Sequence, residues 1–328
     1  METIRARLIY NPTSGREEMR RRLPDILQRL ERGGIETSCI ATEGPGDAEA
    51  AASLAAQRGY DMVIAAGGDG TLNEVVSGLA RHERRPVLGI LPMGTTNDFA
   101  RAHGIPRHAM KACDLIVRRF ARPVDVGQAG GKYFINIAGG GSLTELTYEV
   151  PSKLKTVIGQ LAYYMKGVEK VMTRLSPVRM KIRANGVGEI DEEVMLFLIA
   201  NSNSVGGFNR LVPDASTGDG KFDVLVLRKC NLAEFIRLLT LVMRGETVLD
   251  DPHVIYFQSE RIEVESESRV QLNLDGEYGG TLPCAFSVLP GHLDVIVDET
   301  GASSYFQGNG NGNGQDDAEE TDAGEGKD

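Results

Sequence analysis

The apolar run Met62-Val63-Ile64-Ala65-Ala66 ends abruptly in Gly67-Gly68-Asp69-Gly70-Thr71, and a helix-patterned stretch near 71–80 follows. Strand, glycine turn and helix in immediate succession form the repeating unit of an open parallel α/β sheet, so this stretch limits the possible folds more than any other. Its residues also carry chemistry. Glycines let a backbone approach a phosphate, the first amides of the helix point at an anion, and one carboxylate, here Asp69, can hold Mg2+ beside it. Taken alone, the pentapeptide also fits a plain strand-to-helix turn.

Two companion loops strengthen the first alternative. Asn11-Pro12-Thr13-Ser14-Gly15 follows the strand-like 5–10, and Gly94-Thr95-Thr96-Asn97-Asp98-Phe99-Ala100-Arg101 follows the apolar 87–92. In a parallel sheet such loops meet along the carboxyl edge, where ligands bind. The first 120 residues alternate strands near 5–10, 35–41, 61–66 and 87–91 with helices near 17–32, 47–58, 71–80 and 96–119. That alternation predicts a doubly wound parallel α/β domain over 1–126. Beyond Arg122-Pro123-Val124-Asp125-Val126-Gly127 the pattern becomes strand-rich, at 132–138, 177–184, 194–200, 222–228, 254–266 and 269–289. A second, larger and mainly antiparallel β-sandwich domain over 127–290 follows, with helical inserts near 155–174 and 231–244.

A chain of 328 residues has room for two such cores. Its net charge of −10 is uneven, because 301–328 carries seven acids and one Lys, leaving the remainder near −4. The Gly-Asn run 308–314 and the acids after it have almost nothing to bury, so 299–328 reads as a disordered acidic tail. Within the body, 151–183 holds eight Lys and Arg residues against Glu169 alone. The four cysteines show no paired spacing for zinc, redox chemistry or a short-range disulfide framework, which fits a reducing cytoplasm. No apolar run is long enough to span a bilayer and no signal-peptide core is present, so any membrane contact is expected to be peripheral. Neither a Gly-x-x-x-x-Gly-Lys-Ser/Thr loop nor a Gly-x-Gly-x-x-Gly fingerprint occurs, which leaves nucleotide binding to the three loops. The five histidines show no metal or dyad spacing and receive no function.

The trio Asn-Pro-Thr-Ser-Gly, Gly-Gly-Asp-Gly-Thr and Gly-Thr-Thr-Asn-Asp-Phe-Ala-Arg resembles the diacylglycerol kinase catalytic family. Four later segments, 133–141, 150–155, 159–164 and Leu272-Asn273-Leu274-Asp275-Gly276-Glu277-Tyr278-Gly279-Gly280, look like its soluble Gram-positive bacterial members, and the likeness runs over about residues 1–297. The resemblance implies ATP contacts at Asn11, Pro12, Thr13, Ser14, Gly15, Thr42, Gly68, Asp69, Gly70, Thr71, Leu72, Asn73, Glu74 and Thr95, although 41–46 is by itself also an ordinary turn. It implies a water-linked Mg2+ network on Asp69, Asp98 and Asp125, and a structural Mg2+ site using Asp219 with oxygens at Ser216 and Lys221. By spacing alone Asp125 is also a turn cap, and 213–221 an ordinary polar turn. The family's general base falls on Glu277, where the Asp-Gly before it is otherwise a hairpin signal. Arg16, Arg21 and Lys166 are candidate positive groups around the phosphate; family members often carry Lys at the position of Arg16, and Arg21 equally fits a solvated helix face.

The expected activity is ATP- and Mg2+-dependent phosphorylation of membrane diacylglycerol, by a cytoplasmic protein that meets the membrane peripherally. The resemblance further implies a homodimer and a last strand, within 291–298, that returns to the first domain. The basic segment 151–183 is a candidate surface for anionic lipid, or else a solvated basic face. Nucleic acid is not among the expected partners. Rival readings are a kinase of another lipid alcohol (a sphingoid base, undecaprenol or phosphatidylglycerol) and a non-catalytic nucleotide or lipid sensor; joint retention of Asp69, Asp98 and Glu277 argues against the sensor, because a binder needs no base. The glycine turn is shared with NAD kinases, against which Asn11–Gly15 and the base motif argue.

Overall fold

The computed structural model describes residues 3–15, 18–142, 176–203, 212 and 215–299. The chain opens with β1 (Ile4–Tyr10), α1 (Glu18–Arg32), β2 (Ile35–Ala41), α2 (Asp47–Gln57), β3 (Met62–Gly67), α3 (Asp69–Ala80) and β4 (Val87–Pro92). The strands pair in parallel in the order β4-β3-β1-β2, with Met62 opposite Val87 and Ala6 opposite Met62. Every residue of β3 is buried, as a central parallel strand covered by helices on both faces requires. Helices α4 (Asp98–Ala102) and α5 (Ala109–Arg118) follow, and α5 packs on α1 and β4. Leu8, Ile26, Ile64, Val75, Leu88 and Ile116 share the resulting core. The loops after β1, β3 and β4 therefore leave the same edge of the sheet, because parallel strands all point one way.

The rest of the chain forms β5 (Ala121–Ala129), β6 (Lys132–Phe134), β7 (Ile137–Gly140), β8 (Val178–Ala184), β9 (Gly188–Ala200), β10 (Phe222–Arg228), α6 (Leu232–Met243), β11 (Val254–Ser259), β12 (Arg261–Ser266), β13 (Gln271–Leu274), β14 (Glu277–Thr281) and β15 (Cys284–Ile296). Pairings among these strands are antiparallel. They enclose a second core built on Phe134, Phe197, Phe222 and Phe286, with ring centres 5.4 Å apart for Phe134 and Phe222 and 6.1 Å for Phe197 and Phe286. The α6 helix starts in a capping box, in which Asn231 accepts from the Glu234 amide and Glu234 from the Asn231 amide.

One strand serves both cores. Phe286 and Val288 of β15 lie in the second, while Leu293, Val295 and Ile296 lie in the first. Between them the register slips at Leu289–Leu293, where Gly291 takes a positive φ of 55°, and Val295 then pairs in parallel with Leu88 of β4. This crossing ties the two cores together.

Two element boundaries differ from the sequence pattern for local reasons. The expected strand 194–200 begins at Gly188, because Gly186 and Gly188, with φ of 82° and 92°, close a tight turn that pairs β9 along all of β8. The stretch 269–289 is three strands, interrupted by Asp275-Gly276 and by Leu282-Pro283. The insert near 155–174, the tail 301–328, Arg16 and Lys166 lie outside the described residues. The described end of the basic segment is not a free positive surface. Arg179 pairs with Asp191 at 2.9 Å, and Arg183 reaches Glu189 at 2.8 Å and Glu265 at 2.7 Å. Register across β9, β8 and β12 sets acids opposite these bases and cancels their charge.

Candidate active site

The glycine turn after β3 and the loop after β4 are pressed together through glycine. A Cβ on Gly94 would stand 2.6 Å from the Gly68 Cα and 2.8 Å from the Asn97 Oδ1. Asn97 closes its own loop by accepting from the Gly94 amide at 2.9 Å and donating to the Gly94 carbonyl at 2.7 Å. It holds a left-handed backbone, φ 50°, a conformation that asparagine tolerates better than most residues. Asp69, at the first position of α3, then locks the loop: its carboxylate accepts from the amides of Asn97 at 2.9 Å and Asp98 at 2.8 Å. Burial, and then the neighbouring Asp98 carboxylate, raise the Asp69 pKa above the ordinary range. Asp98 is paired with Arg101 one turn along α4. Two crowded carboxylates with hard oxygen donors fit a divalent cation such as Mg2+, which takes one or two carboxylates and fills its remaining positions with phosphate or water oxygens.

The other expected nucleotide contacts lie at the ends of β1, β2 and β4 and at the start of α3, along the same edge of the sheet, and two of them are turned to other tasks. The Asn11 amide donates to the carbonyl of Ala66, next to the glycine turn, while its side chain accepts from the amide and hydroxyl of Thr13. Thr42 leaves β2 with its amide bonded to the Tyr10 carbonyl. Thr95 is exposed, its carbonyl held by Arg107 at 3.2 Å. Asn73 is buried with no partner for its Oδ1 among the described residues. Leu72, in contrast, is buried in the first core, so its side chain offers nothing to a ligand. Glu74 spends its carboxylate on the amides of Gly46 at 2.9 Å and Ala48 at 3.1 Å, and so caps α2.

Glu277 arrives from the other core. Its Oε1 lies 3.4 Å from where a Gly70 Cβ would stand, so the carboxylate rests against the glycine turn. Burial, then the acids Glu74 and Glu49, push its pKa above the ordinary range, and Lys132 opposes them. The hairpin that presents it is fixed by Asp275, which takes a left-handed backbone with φ 50°. Asp275 accepts from the amides of Ile135 at 2.6 Å, Asn136 at 2.9 Å and Ile137 at 2.8 Å. Burial nevertheless pushes this carboxyl up to about 6, and Asp69 adds to the shift.

Asp125 and the 216–221 turn form a second locus. The Asp125 carboxylate is used structurally, accepting from the amides of Gly220 and Gly291 at 2.7 Å each. Asp219, whose Oδ1 accepts from the Lys221 amide at 3.0 Å, lines with Asp125, Glu260 and Pro290 a cleft of about 540 Å³. Ser216 accepts from the Gly218 amide at 3.4 Å. Among the described residues no three His, Cys, Asp or Glu side chains converge as a ready-made metal site.

Residues 5–129 match the diacylglycerol kinase catalytic domain, and residues 146–297 match the YegS C-terminal NAD kinase beta sandwich-like domain. A diacylglycerol kinase of Bacillus subtilis is 55% identical over 299 residues, covering 91% of this chain and 98% of the relative. The chain belongs to the diacylglycerol kinase family. A diacylglycerol kinase of Staphylococcus aureus is 49% identical over 292 residues, covering 89% of this chain and 92% of its own. A solved diacylglycerol kinase structure from Bacillus anthracis superposes with a TM-score of 0.72 at 26% identity, covering 92% of this chain and 99% of that one.

In this diacylglycerol kinase family member, three residues that sequence reasoning passed over organise the site. Asn97 and Asp275 hold the left-handed corners of the loop after β4 and of the β13–β14 turn, each of which has a neighbour against the glycine turn. A non-glycine residue at a forced positive φ leaves no sequence signal beyond being Asn or Asp. His103 links the two loci: it stacks on Phe99 at 4.0 Å, meets the Phe99 carbonyl through Nδ1 at 2.9 Å, and reaches the Thr217 hydroxyl through Nε2 at 2.9 Å. Burial lowers its pKa to about 4, so it bridges as the neutral ring.

Proposed function

We propose that this chain is an ATP-dependent diacylglycerol kinase, transferring the γ-phosphate of ATP to the free hydroxyl of 1,2-diacylglycerol to give phosphatidic acid. The observation that carries the reading is the placement of Glu277 against Gly70, which sets a proton acceptor beside a turn suited to phosphates. The names borne by the relatives support diacylglycerol as the acceptor alcohol.

Phosphoryl transfer asks the protein for positioning, charge neutralisation and removal of one proton. In this reading ATP lies along the carboxyl edge of the parallel sheet, against Asn11–Gly15, Thr42, the Gly68–Asn73 segment and Thr95, where the amides of the glycine turn and the first turn of α3 suit phosphate oxygens. Asp69 and Asp98 would hold Mg2+, and the Ser216–Lys221 turn with Asp219 a second, structural ion. Bound beside the phosphates, the ion supplies neutralisation of their charge. Glu277 accepts the lipid hydroxyl proton as the oxygen attacks, and its raised pKa makes it a stronger acceptor. Asp69 also orients the site, because its bonds to Asn97 and Asp98 fix the start of α4. The resemblance adds Arg16 and Lys166, which lie outside the described residues, as candidate positive groups for the phosphate. The nucleotide domain is 1–126 with 291–298 returning to it, the lipid domain is 127–290, and 299–328 is a separate acidic tail.

No helix among the described residues is long and apolar enough to cross a membrane. In this reading the enzyme meets its substrate at the bilayer surface, peripherally and from the cytoplasmic side, with the basic segment 151–183 as the candidate docking face and a homodimer as its assembly. Labelled ATP offered with a panel of lipid alcohols tests the reading: diacylglycerol is expected to be the preferred acceptor. Glu277→Ala and Asp69→Ala should each lose on the order of 10²–10⁴ in turnover while remaining folded. Label transferred to a different alcohol, or a folded Glu277→Ala enzyme within about threefold of wild type, refutes it.

A further inference from the structure

Glu277 sits at the start of β14 between two fastenings, and both lead to one short stretch of chain. On one side Asp275 grips the amides of 135–137. On the other the Lys132 ammonium donates to the Tyr278 carbonyl at 2.9 Å and lies 5.6 Å from the centre of the Tyr278 ring. The gripping stretch is itself immobilised. Phe134 and Ile135 are buried, one in each core, and Gly130-Gly131, with φ of 53° and 85°, turns β5 tightly into β6.

We propose that Lys132 is a positioning residue for Glu277: through the Tyr278 carbonyl it holds the carboxylate against the Gly70 turn and sets a positive charge beside it. The inference rests on the base role of Glu277 proposed above. The charged groups that face Glu277 support it. Glu74 on α3 and Glu49 on α2 share its sign, Asp275 stands two residues before it, and Lys132 on β6 opposes them. Glu74 is committed to the start of α2 and Glu49 to Arg81, so neither can orient the Glu277 side chain. A lysine whose only task was a solvent-exposed bond would add little, since exposed charged contacts typically contribute little to stability. Placed next to the catalytic carboxylate, the same contact acts on rate, because a misplacement of about 1 Å can cost on the order of a hundredfold.

The test is a cycle of purified full-length variants, Lys132→Met, Lys132→Arg, Glu277→Gln and Lys132→Met with Glu277→Gln, assayed with labelled ATP and diacylglycerol in neutral detergent micelles. Lys132→Met is expected to lower kcat by about tenfold to a hundredfold with KM for both substrates within about twofold, the signature of an interaction realised in the transition state. Its melting temperature should match wild type, and Lys132→Arg should recover most of the turnover. In the Glu277→Gln background, Lys132→Met should cost nothing further, because the group it positions is gone. Wild-type kcat in Lys132→Met, a loss confined to KM, a loss that tracks a lowered melting temperature, or an undiminished loss in the Glu277→Gln background each overturns the inference. Failure of the underlying reading looks different: wild type leaves diacylglycerol unlabelled, or Glu277→Gln remains fully active.

Discussion

Asp275→Asn isolates the brace that presents the proposed base. The carboxylate divides its acceptors, with Oδ1 taking the amides of Asn136 and Ile137 and Oδ2 taking that of Ile135. Asparagine keeps one oxygen. Placed at Oδ1 it preserves two bonds and turns an NH2 group toward the Ile135 N–H; flipped, it loses two bonds instead. The first arrangement leaves one donor without an acceptor, which costs about 1–3 kcal/mol. Backbone strain adds nothing, because asparagine accepts the φ of 50° at this position as readily as aspartate. At roughly 2–4 °C per kcal/mol for a domain of this size, the melting temperature should fall by about 2–12 °C. The pH dependence carries the sharper test. The folded pKa of Asp275, about 6, lies above its unfolded value, so its proton-linked stabilisation is fully present below the unfolded pKa and is lost as pH rises through the folded one. Asparagine does not titrate, so the variant should be destabilised more at pH 5 than at pH 8. Circular-dichroism melts of both proteins at the two pH values, with kinase turnover measured beside them, decide the matter. A variant as stable as wild type, or one that loses more at pH 8 than at pH 5, refutes the reasoning.

Gly94→Ala should raise KM for ATP and lower stability by about 1–3 kcal/mol, because the new methyl would meet the Gly68 backbone and Asn97 and push the two loops apart; unchanged ATP affinity by calorimetry would exclude that close approach. Turnover on diacylglycerol should fall on acidification with a midpoint above the ordinary glutamate range, since burial raises the Glu277 pKa and the proton acceptor must be ionised. Glu277→Gln should abolish that acid limb, and an acid limb that survives in the variant belongs to another group.

Much of the site was legible because its chemistry is local. A strand that ends in Gly-Gly-Asp-Gly-Thr must place its glycines and its carboxylate at the start of the next helix, and the loops after β1 and β4 follow the same rule. Side-chain periodicity likewise marks the parallel half, since the alternation of period two and period 3.6 depends only on near neighbours. The parts that were not legible depend on register and crossing. Glu74 reads as part of the phosphate turn, yet α2 packs against α3 and its open amides capture that carboxylate. Asp125 reads as a metal ligand from its local sequence alone; that its carboxylate also accepts from Gly291, brought near by the crossing of β15, and from Gly220 of the 216–221 turn depends on the tertiary fold.

The sequence by itself determined that three glycine- and hydroxyl-rich loops share the carboxyl edge of a parallel sheet, and that a second β-rich core follows. Only the tertiary structure decided what that edge works with. Glu277 reaches Gly70 because β15 leaves one core and pairs with β4 of the other, and because Asp275 and Lys132 hold the β13–β14 hairpin to 132–137. The basic stretch that reads as a docking surface loses Arg179 and Arg183 to acids on β9 and β12. Residues distant in the chain meet through strand register, and a one-residue slip would turn each of these side chains to the opposite face.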